Sequence, residues 1–413
     1  MRVVIIGGGA AAVSAIEAFR KHDRTSAILL VSSEKHPPYS RVLLPYLVLG
    51  RTDIQGLFYR STRFYDRFNV RTLLGRSVVG TDLSQKRLYL DTGETIPFDR
   101  LLIASGSSPV KPTVRGLDSE EIGHFWTMED ALRVGRCFKG NRRLMIMGGG
   151  FISLMLAWVA VQRNLEVTIT EIMDHVMPQS LDRTGAEMVE TAMRRERVRV
   201  LTGTAVQRVE KRSRGQYRVY PADRRPFDVD MVVVAAGVRP NIAFLETDSV
   251  RTDRGILVSD TMETSVPGIY AAGDVAQGPS VLGDRWATHA LWTTAVEHGT
   301  IAGSNMAGRE VHYRGSLSGN VSEFFHLTVA SMGMVRKSPE IDEQAYLDRE
   351  GGVYVKLLLH RRVPVGGVLI GRAEDVASFG ILRSCILRKR EIPRTEDLRV
   401  HPLRLLRPLV GRS

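Results

Sequence analysis

At 413 residues, 43% of them hydrophobic and 25% charged, the chain has the balance of a globular protein with room for two or three cores. No apolar stretch is long enough to span a bilayer as a helix. Two cysteines, Cys137 and Cys385, are too few and too far apart for a disulfide framework or a thiol-paired metal site, and a reduced, cytoplasmic setting is expected. The net charge of +12 is uneven: residues 194–225 hold eleven Lys/Arg against three acids, and 383–413 hold nine against three. Such clusters attract acidic partners. No nucleic-acid module accompanies them, so no nucleic-acid partner is expected.

The chain opens on VVIIGGGAAA from Val3. Residues 3–6 form an apolar run suited to a buried parallel strand. Gly7 allows a tight turn, Gly9 lets backbone approach a pyrophosphate, and Ala12 is small enough for close helix–strand packing. Val13, Ile16 and Phe19 recur at helical spacing, so the glycines stand at a helix N-terminus, where amides and dipole favour an anion. A second apolar strand at 27–31 leads to Glu34, twenty-five positions after Gly9, where a carboxylate can accept ribose hydroxyls. Arg2 and the alanines mimic a secretory leader. Three glycines break the apolar run, however, and cleavage would remove the turn, so the segment reads as mature structure.

Residues 88–90, 95–96 and 101–103 read as short strands around a turn at 91–93, and Pro109 and Pro112 mark a linker. The fingerprint then recurs as LMIMGGGFIS from Leu144. Gly148 and Gly150 take the first two glycine roles and Ser153 the third. A strand at 167–170 delivers Glu171, twenty-one positions after Gly150. Glutamate there favours the free 2′-hydroxyl of NAD(H) and repels the 2′-phosphate of NADP(H). Two copies in one chain point to two dinucleotides. Farther on, apolar runs at 353–359 and 363–370 flank His360-Arg361-Arg362 and read as an antiparallel hairpin, with a helix from about Glu374. The expected fold is α/β: two Rossmann-like domains, the first discontinuous (1–112 and 240–308) and the second at 113–239. A C-terminal α+β interface domain (309–390) and a basic tail (391–413) follow.

With GIYAAGDVA at 268–276 added to the two fingerprints, the chain resembles the FAD-dependent pyridine-nucleotide oxidoreductases, the two-dinucleotide flavoproteins, over nearly its whole length. LLIASGSSP from Leu101 is similar to the family's Ala-Thr-Gly turn, here Ala104, Ser105 and Gly106. VVVAAGVRPN from Val232, with Gly237, is a further match. The resemblance implies that Asp274 contacts the ribityl and pyrophosphate region of FAD, with Gly273 making the close approach. LWTTAVEHG from Leu291 resembles the helix whose N-terminal end faces the flavin pyrimidine ring, where its dipole stabilises reduced flavin. PYSRVLLPYL from Pro38 and NVSEFFHLTVASMG from Asn320 are most similar to one branch. That branch holds rubredoxin reductases, ferredoxin-reductase-like proteins and the flavin portion of NADH-dependent nitrite reductases. It implies that Tyr39, Ser40 and Arg41 lie along the FAD.

Departures from the family pattern narrow the chemistry. Its NADH oxidases, peroxidases and coenzyme A disulfide reductases carry a redox cysteine where this chain has Val42, so no thiolate relay is expected. The lysine–glutamate pair of ferredoxin-reductase-like members is matched by Tyr46 and Met155, so both charges are absent and neither is stranded. Ser153 is expected to crowd the second turn. The expected activity is that of an FAD-dependent oxidoreductase taking NADH in preference to NADPH, with no acid–base residue and no metal. It would pass electrons to a small acidic iron–sulfur or rubredoxin-type protein. The alternative is an FAD-bearing subunit of a larger redox complex with a degenerate nicotinamide site. The C-terminal domain implies a homodimer or a complex subunit.

Overall fold

The computed structural model describes residues 1–117, 122–140, 142–246, 250–283, 286–373 and 377–392. All but the first two residues of the expected basic tail, and the expected start of the last helix at 374, lie outside the described residues. The chain divides into two compact units. Unit 1 comprises Met1–Arg41, Asp53–Ser108 and Val238–Leu317; unit 2 comprises Val42–Thr52, Pro109–Gly237 and Ser318–Ser413.

Unit 1 is built on five parallel strands in the order Ile269–Ala271, Arg100–Ile103, Arg2–Ile6, Ala27–Ser32 and Val70–Leu74. The central strands are continuous apolar runs because both of their faces are covered. Two helices, Ala10–His22 and Trp292–Met306, lie against each other at backbone distance. A Cβ on Gly299 or Gly303 would stand 2.1 or 2.2 Å from the carbonyl oxygen of Ala11 or Ala15, so only glycine permits this approach. Unit 1 also holds an antiparallel meander of Val78–Asp82, Arg87–Leu90 and Thr95–Pro97 and a short parallel pair, Ile256–Leu257 with Ala276–Gln277.

Unit 2 repeats the plan. Its parallel sheet runs Arg199–Leu201, Glu166–Thr170, Arg143–Met147, Met231–Val234 and Gly123–His124. Its meander is Val206–Lys211, Tyr217–Pro221 and Phe227–Val229. The helix Phe151–Gln162 is apolar on nearly every side because the short helix Leu44–Leu49 packs on it. The Tyr46 ring meets Trp158 edge-on at 6.4 Å, Arg51 stacks over Trp158 at 5.2 Å, and Arg163 donates to the Val48 carbonyl at 2.6 Å.

Later in unit 2 stands a five-stranded antiparallel sheet in the order Gly319–Phe324, Leu327–Gly333, Val363–Gly371, Val353–His360 and Asp342–Asp348, with the helix Ala377–Leu387 beside it. The hairpin expected at 353–370 forms, with Arg361 and Arg362 both at positive φ in its turn. Lys356, 2% exposed, donates to Asp182 at 2.5 Å and faces Glu343 at 3.5 Å. Tyr354 also donates to Asp182, at 2.6 Å. Although burial acts against it, these bonds hold the Asp182 carboxyl below its usual range. Asp182 in turn caps the helix Arg183–Arg195 through the Gly185 amide. The α/β architecture, with two parallel-sheet units and a C-terminal antiparallel sheet, is the one expected.

Candidate dinucleotide-binding sites

In unit 1, strands Arg2–Ile6, Ala27–Ser32 and Arg100–Ile103 end side by side, and the site residues gather at that end. Gly7 turns at φ +103°, and a Cβ there would stand 2.1 Å from the Ala104 carbonyl oxygen. Nothing lies within 4 Å of a Cβ on Gly9. Gly9 leads the Ala10–His22 helix without a side-chain cap among the described residues, which leaves first-turn amides for an anion. Ala12 is fully buried. Glu34 accepts from the Tyr39 hydroxyl at 2.5 Å and from Arg41 at 2.7 Å. Burial would lower the Arg41 pKa, but the adjoining Glu34 carboxylate outweighs it and raises the value. Ser40 donates its amide to Leu57, which fixes the loop backbone.

The downstream motif comes to the same end. The Gly273–Val275 turn approaches the first helix, where a Cβ on Gly273 would meet Ala11 at 3.1 Å. Asp274 accepts from the Ser107 hydroxyl at 2.6 Å. Burial raises its carboxyl pKa, with Ser107 and Arg41 opposing. Ser105 and Asn241 clasp each other: the serine hydroxyl donates to the Asn241 carbonyl at 2.8 Å, and the Asn241 amide group donates to the Ser105 carbonyl at 2.9 Å. Gly106, at φ +67°, faces open space. Ser107 and Asn241 were not singled out in the sequence, although both stand inside the two motifs quoted from Leu101 and Val232. Amides and an open glycine suit a pyrophosphate, and Glu34 and Asp274 suit hydroxyls, so the donor set fits a dinucleotide.

In unit 2, Gly148 turns at φ +110° with its Cβ position 2.4 Å from the Ala235 carbonyl oxygen, and Gly150 again faces open space. Glu171 is buried and accepts from two backbone amides, Gly149 at 2.6 Å and Met173 at 2.8 Å. Each carboxylate oxygen keeps a further lone pair for a ribose hydroxyl. Met177, at φ +52°, donates its amide to the Gly149 carbonyl at 2.8 Å; no sequence signal marked this strut. Gly237, at φ +105°, also faces open space. Ser153 departs from expectation. It is fully buried, with its hydroxyl 3.4 Å from the Ala235 carbonyl. Its side chain is thus spent on helix–strand packing, and the approach over Gly150 stays clear.

A family model described as pyridine nucleotide-disulphide oxidoreductase matches residues 1–299, and another, the rubredoxin NAD+ reductase C-terminal domain, matches 321–390. The chain belongs to the pyridine nucleotide-disulphide oxidoreductase family. It is 26% identical to the NADH-dependent phenylglyoxylate dehydrogenase subunit epsilon of Aromatoleum evansii, over 100% of this chain and 98% of that one. To the ferredoxin–NAD(+) reductase component of the p-cumate 2,3-dioxygenase system of Pseudomonas putida it is 30% identical over 76% of each. It spans 50% of the length of the assimilatory nitrate reductase electron transfer subunit of Bacillus subtilis, at 26% identity and over 95% of this chain. Its fold matches the covalent putidaredoxin reductase–putidaredoxin complex with a TM-score of 0.90 and 22% identity, over 100% of this chain and 99% of that one.

Pyridine nucleotide-disulphide oxidoreductases bind FAD and NADH, and the two glycine turns have the sequence and the sterics expected of such cradles. Among the described residues no group of three or more His, Cys, Asp and Glu is placed to hold a metal. Both cysteines stand in unit 2. Cys385 is buried, and burial pushes its thiol pKa up. Val42, which the family resemblance sets at the redox-cysteine position, is 62% exposed. Tyr46, at the matched lysine position, packs on Trp158.

Proposed function

We propose that this chain is an FAD-dependent NAD(P)H oxidoreductase that prefers NADH, works without a redox-active cysteine, and reduces a small acidic iron–sulfur or rubredoxin-type protein. The observation that carries the reading is the duplicated cradle, each copy with an open second glycine, uncapped helix amides and a carboxylate at the next strand end. Unit 1 contains no cysteine to divert electrons into disulfide chemistry.

In this reading FAD is held by Gly7, Gly9 and Ala12 at its pyrophosphate and by Glu34 at its ribose. Tyr39, Ser40 and Arg41 run along it, and Ala104, Ser105, Gly106, Gly273 and Asp274 lie at the ribityl side. Gly148, Gly150, Ser153, Glu171 and Gly237 shape the nicotinamide-nucleotide cradle. The division into 1–112 with 240–308, 113–239 and 309–390 goes with that assignment. Flavin supplies the exchange between two-electron and one-electron chemistry. Overall, one NADH gives up a hydride and becomes NAD+, two acceptor molecules gain one electron each, and one proton is released. Preference for NADH rests on Glu171, whose carboxylate is fixed by two backbone amides and would face a 2′-phosphate.

The deciding experiment is anaerobic addition of NADH and of NADPH to the purified holoprotein. NADH should bleach the yellow oxidised flavin, and NADPH should do so at least about tenfold more slowly, a difference of ~1.4 kcal/mol. No bleaching by either nucleotide would sink the reading. A second reading, as the FAD-bearing subunit of a larger complex, is not favoured by the relatives taken together, although one of them is named as a dehydrogenase subunit. That role predicts slow bleaching by NADH in isolation and co-purification with other redox proteins.

A further inference from the structure

The second glycine turn is held by a loop of no regular structure. Twelve residues, 171–182, join the strand Glu166–Thr170 to the helix Arg183–Arg195, where connections in α/β units usually take about two to six. A loop of that length is a soft support unless its backbone is tied down. This one is tied to Gly149 twice. The Glu171 carboxylate accepts the Gly149 amide at 2.6 Å, and the Met177 amide donates to the Gly149 carbonyl at 2.8 Å. Both polar groups of the middle glycine are therefore held by one loop, and where the loop goes the turn must follow.

The loop is fixed from the antiparallel sheet of the same unit. Arg336, in the segment after the strand Leu327–Gly333, donates to the Pro178 carbonyl at 2.7 Å, one residue from Met177. At the loop's end Lys356 and Tyr354 both donate to Oδ2 of Asp182, at 2.5 and 2.6 Å. The other oxygen accepts the Gly185 amide at 3.0 Å, so the carboxylate is held in one orientation. The amides of Ser180 and Leu181 donate to the Met177 carbonyl at 2.8 and 2.9 Å, so a single tight turn links Asp182 to the Met177 strut. Lys356 is buried and also faces Glu343 at 3.5 Å. Desolvating these charges offsets most of the stability their attraction provides. What the buried pair supplies is orientation, at the end of the loop that grips Gly149.

We propose that Lys356, Tyr354 and Arg336 are positioning residues for the nicotinamide nucleotide: the antiparallel sheet sets the loop 171–182, and the loop sets Gly149 and Glu171. The inference rests on the proposed function and adds to it a control of nucleotide affinity and selectivity from outside the cradle. Binding sites depend on supports of this kind to hold their contact groups in place. Loosening the loop lets the Glu171 carboxylate turn away from the ribose. Binding of the nucleotide with a free 2′-hydroxyl should then weaken more than binding of its 2′-phosphorylated counterpart.

The test titrates the oxidised holoprotein with NAD+ and with NADP+, neither of which can reduce the flavin, and follows urea unfolding in parallel. Lys356→Met should raise the Kd for NAD+ about tenfold, and Tyr354→Phe and Arg336→Ala about threefold each. The Kd for NADP+ should move less than about twofold, so the preference narrows. Arg336→Lys keeps a cationic donor and should bring NAD+ binding back to within about twofold of wild type. Bleaching at saturating NADH should keep its wild-type rate in every variant, which separates positioning of the nucleotide from damage at the flavin. Where Lys356→Met fails to fold, the other two carry the test, because Tyr354→Phe keeps the ring and Arg336 is exposed. A lowered urea midpoint with unchanged Kd for NAD+ would make the network structural only and overturn the inference, leaving the proposed function standing. Equal rises in both Kd values would overturn it too, because the carboxylate would not be what moved. A wild type that binds NAD+ but is not bleached by NADH would overturn the proposed function and leave the positioning to be decided by the Kd values. A wild type that binds neither nucleotide would overturn both.

Discussion

The two glycine turns share their sterics and differ in what surrounds them. At the first glycine, Gly7 and Gly148 have nearly equal φ, and each is pressed against the carbonyl that follows the neighbouring strand, Ala104 or Ala235. At the middle glycine they part. A Cβ on Gly8 would meet Ser32 at 3.2 Å and the Tyr65 hydroxyl at 3.6 Å, whereas one on Gly149 would meet Glu171 at 2.9 Å. The acids follow suit. Glu34 is held by two side chains that reach it from a loop, the buried Tyr39 and the part-exposed Arg41, and Glu171 by backbone amides of its own turn. Backbone donors keep their place and side-chain donors can swing, so the second cradle is the more rigid acceptor and the first the more adaptable one. The contrast extends inward. Unit 1 buries Tyr59, Tyr65 and His298 with polar atoms lacking partners among the described residues, and unit 2 so buries the Thr170 hydroxyl, while the buried charges Lys356 and Glu171 of unit 2 are bonded.

The largest effect should come from testing the shared part. Alanine at position 7 or 148 adds a Cβ to a left-handed backbone and into contact with a carbonyl oxygen. Each substitution should cost about 4 kcal/mol or more unless the turn rearranges. Gly7→Ala should yield protein without bound flavin. Gly148→Ala should keep yellow flavin and lose its bleaching by NADH. Flavin absorbance with urea unfolding separates the two, and loss of flavin from Gly148→Ala would break the assignment of one nucleotide to each cradle.

Next in size is a pH effect confined to unit 1. His298 is 1% exposed, neither ring nitrogen has a partner among the described residues, and burial pushes its pKa down to about 4, with His289 adding to the shift. Its folded value lies below the unfolded one of about 6.5. Its contribution is therefore fully present above pH ~6.5, is lost as pH falls toward ~4, and is constant below that. The span is about 3 kcal/mol. Urea midpoints across that window should fall less in His298→Leu than in wild type. Parallel pH curves would show that the ring finds a proton partner on folding.

A smaller effect separates the acids. Glu171→Gln puts an amide NH2 against one of two backbone donors in a buried place and should cost ~2 kcal/mol, with a raised KM for NADH. Glu34→Gln keeps an acceptor for Arg41 or Tyr39, both of which can readjust, and should cost under ~1 kcal/mol. Equal losses in thermal unfolding would erase the distinction drawn between the cradles.

What could be read from the sequence follows the same line. Gly7, Gly9, Gly148 and Gly150 were legible because their roles are steric and local, as were the 353–370 hairpin and the strands that deliver Glu34 and Glu171. The partners of those acids were not. Tyr39 and Arg41 reach Glu34 through a loop whose path no periodicity encodes, and the Met177 strut depends on a positive φ at a residue that rarely adopts one. Ser153 was misjudged because the spacing marks it as third in the fingerprint without saying which way its hydroxyl turns. Residues 42–52 look like a continuation of the flavin-side loop, yet Tyr46, Val48 and Arg51 are bonded to the helix at 151–162 and its C-cap Arg163. The cross-strand pair of Arg218 with Asp228 needed the register of the meander before that part of the basic stretch could be seen as neutralised.

The smallest effect probes the middle glycine. The Tyr65 hydroxyl is buried without a partner among the described residues, and burial lifts its pKa to about 12. Its ring is anchored independently, edge-on to Phe64 at 5.4 Å. Tyr65→Phe keeps that contact and removes an unpaired polar group, so the variant should gain ~1 kcal/mol, or a rise of about 1–2 °C in Tm for a chain of this size. Because the hydroxyl stands over Gly8, the same variant reports on the flavin cradle. A stability gain with unchanged flavin affinity makes the hydroxyl a passive tenant of the turn. A loss of stability and of flavin together would mean that it serves the bound cofactor, as Glu171 serves the other turn. The two middle glycines would then be equivalent after all.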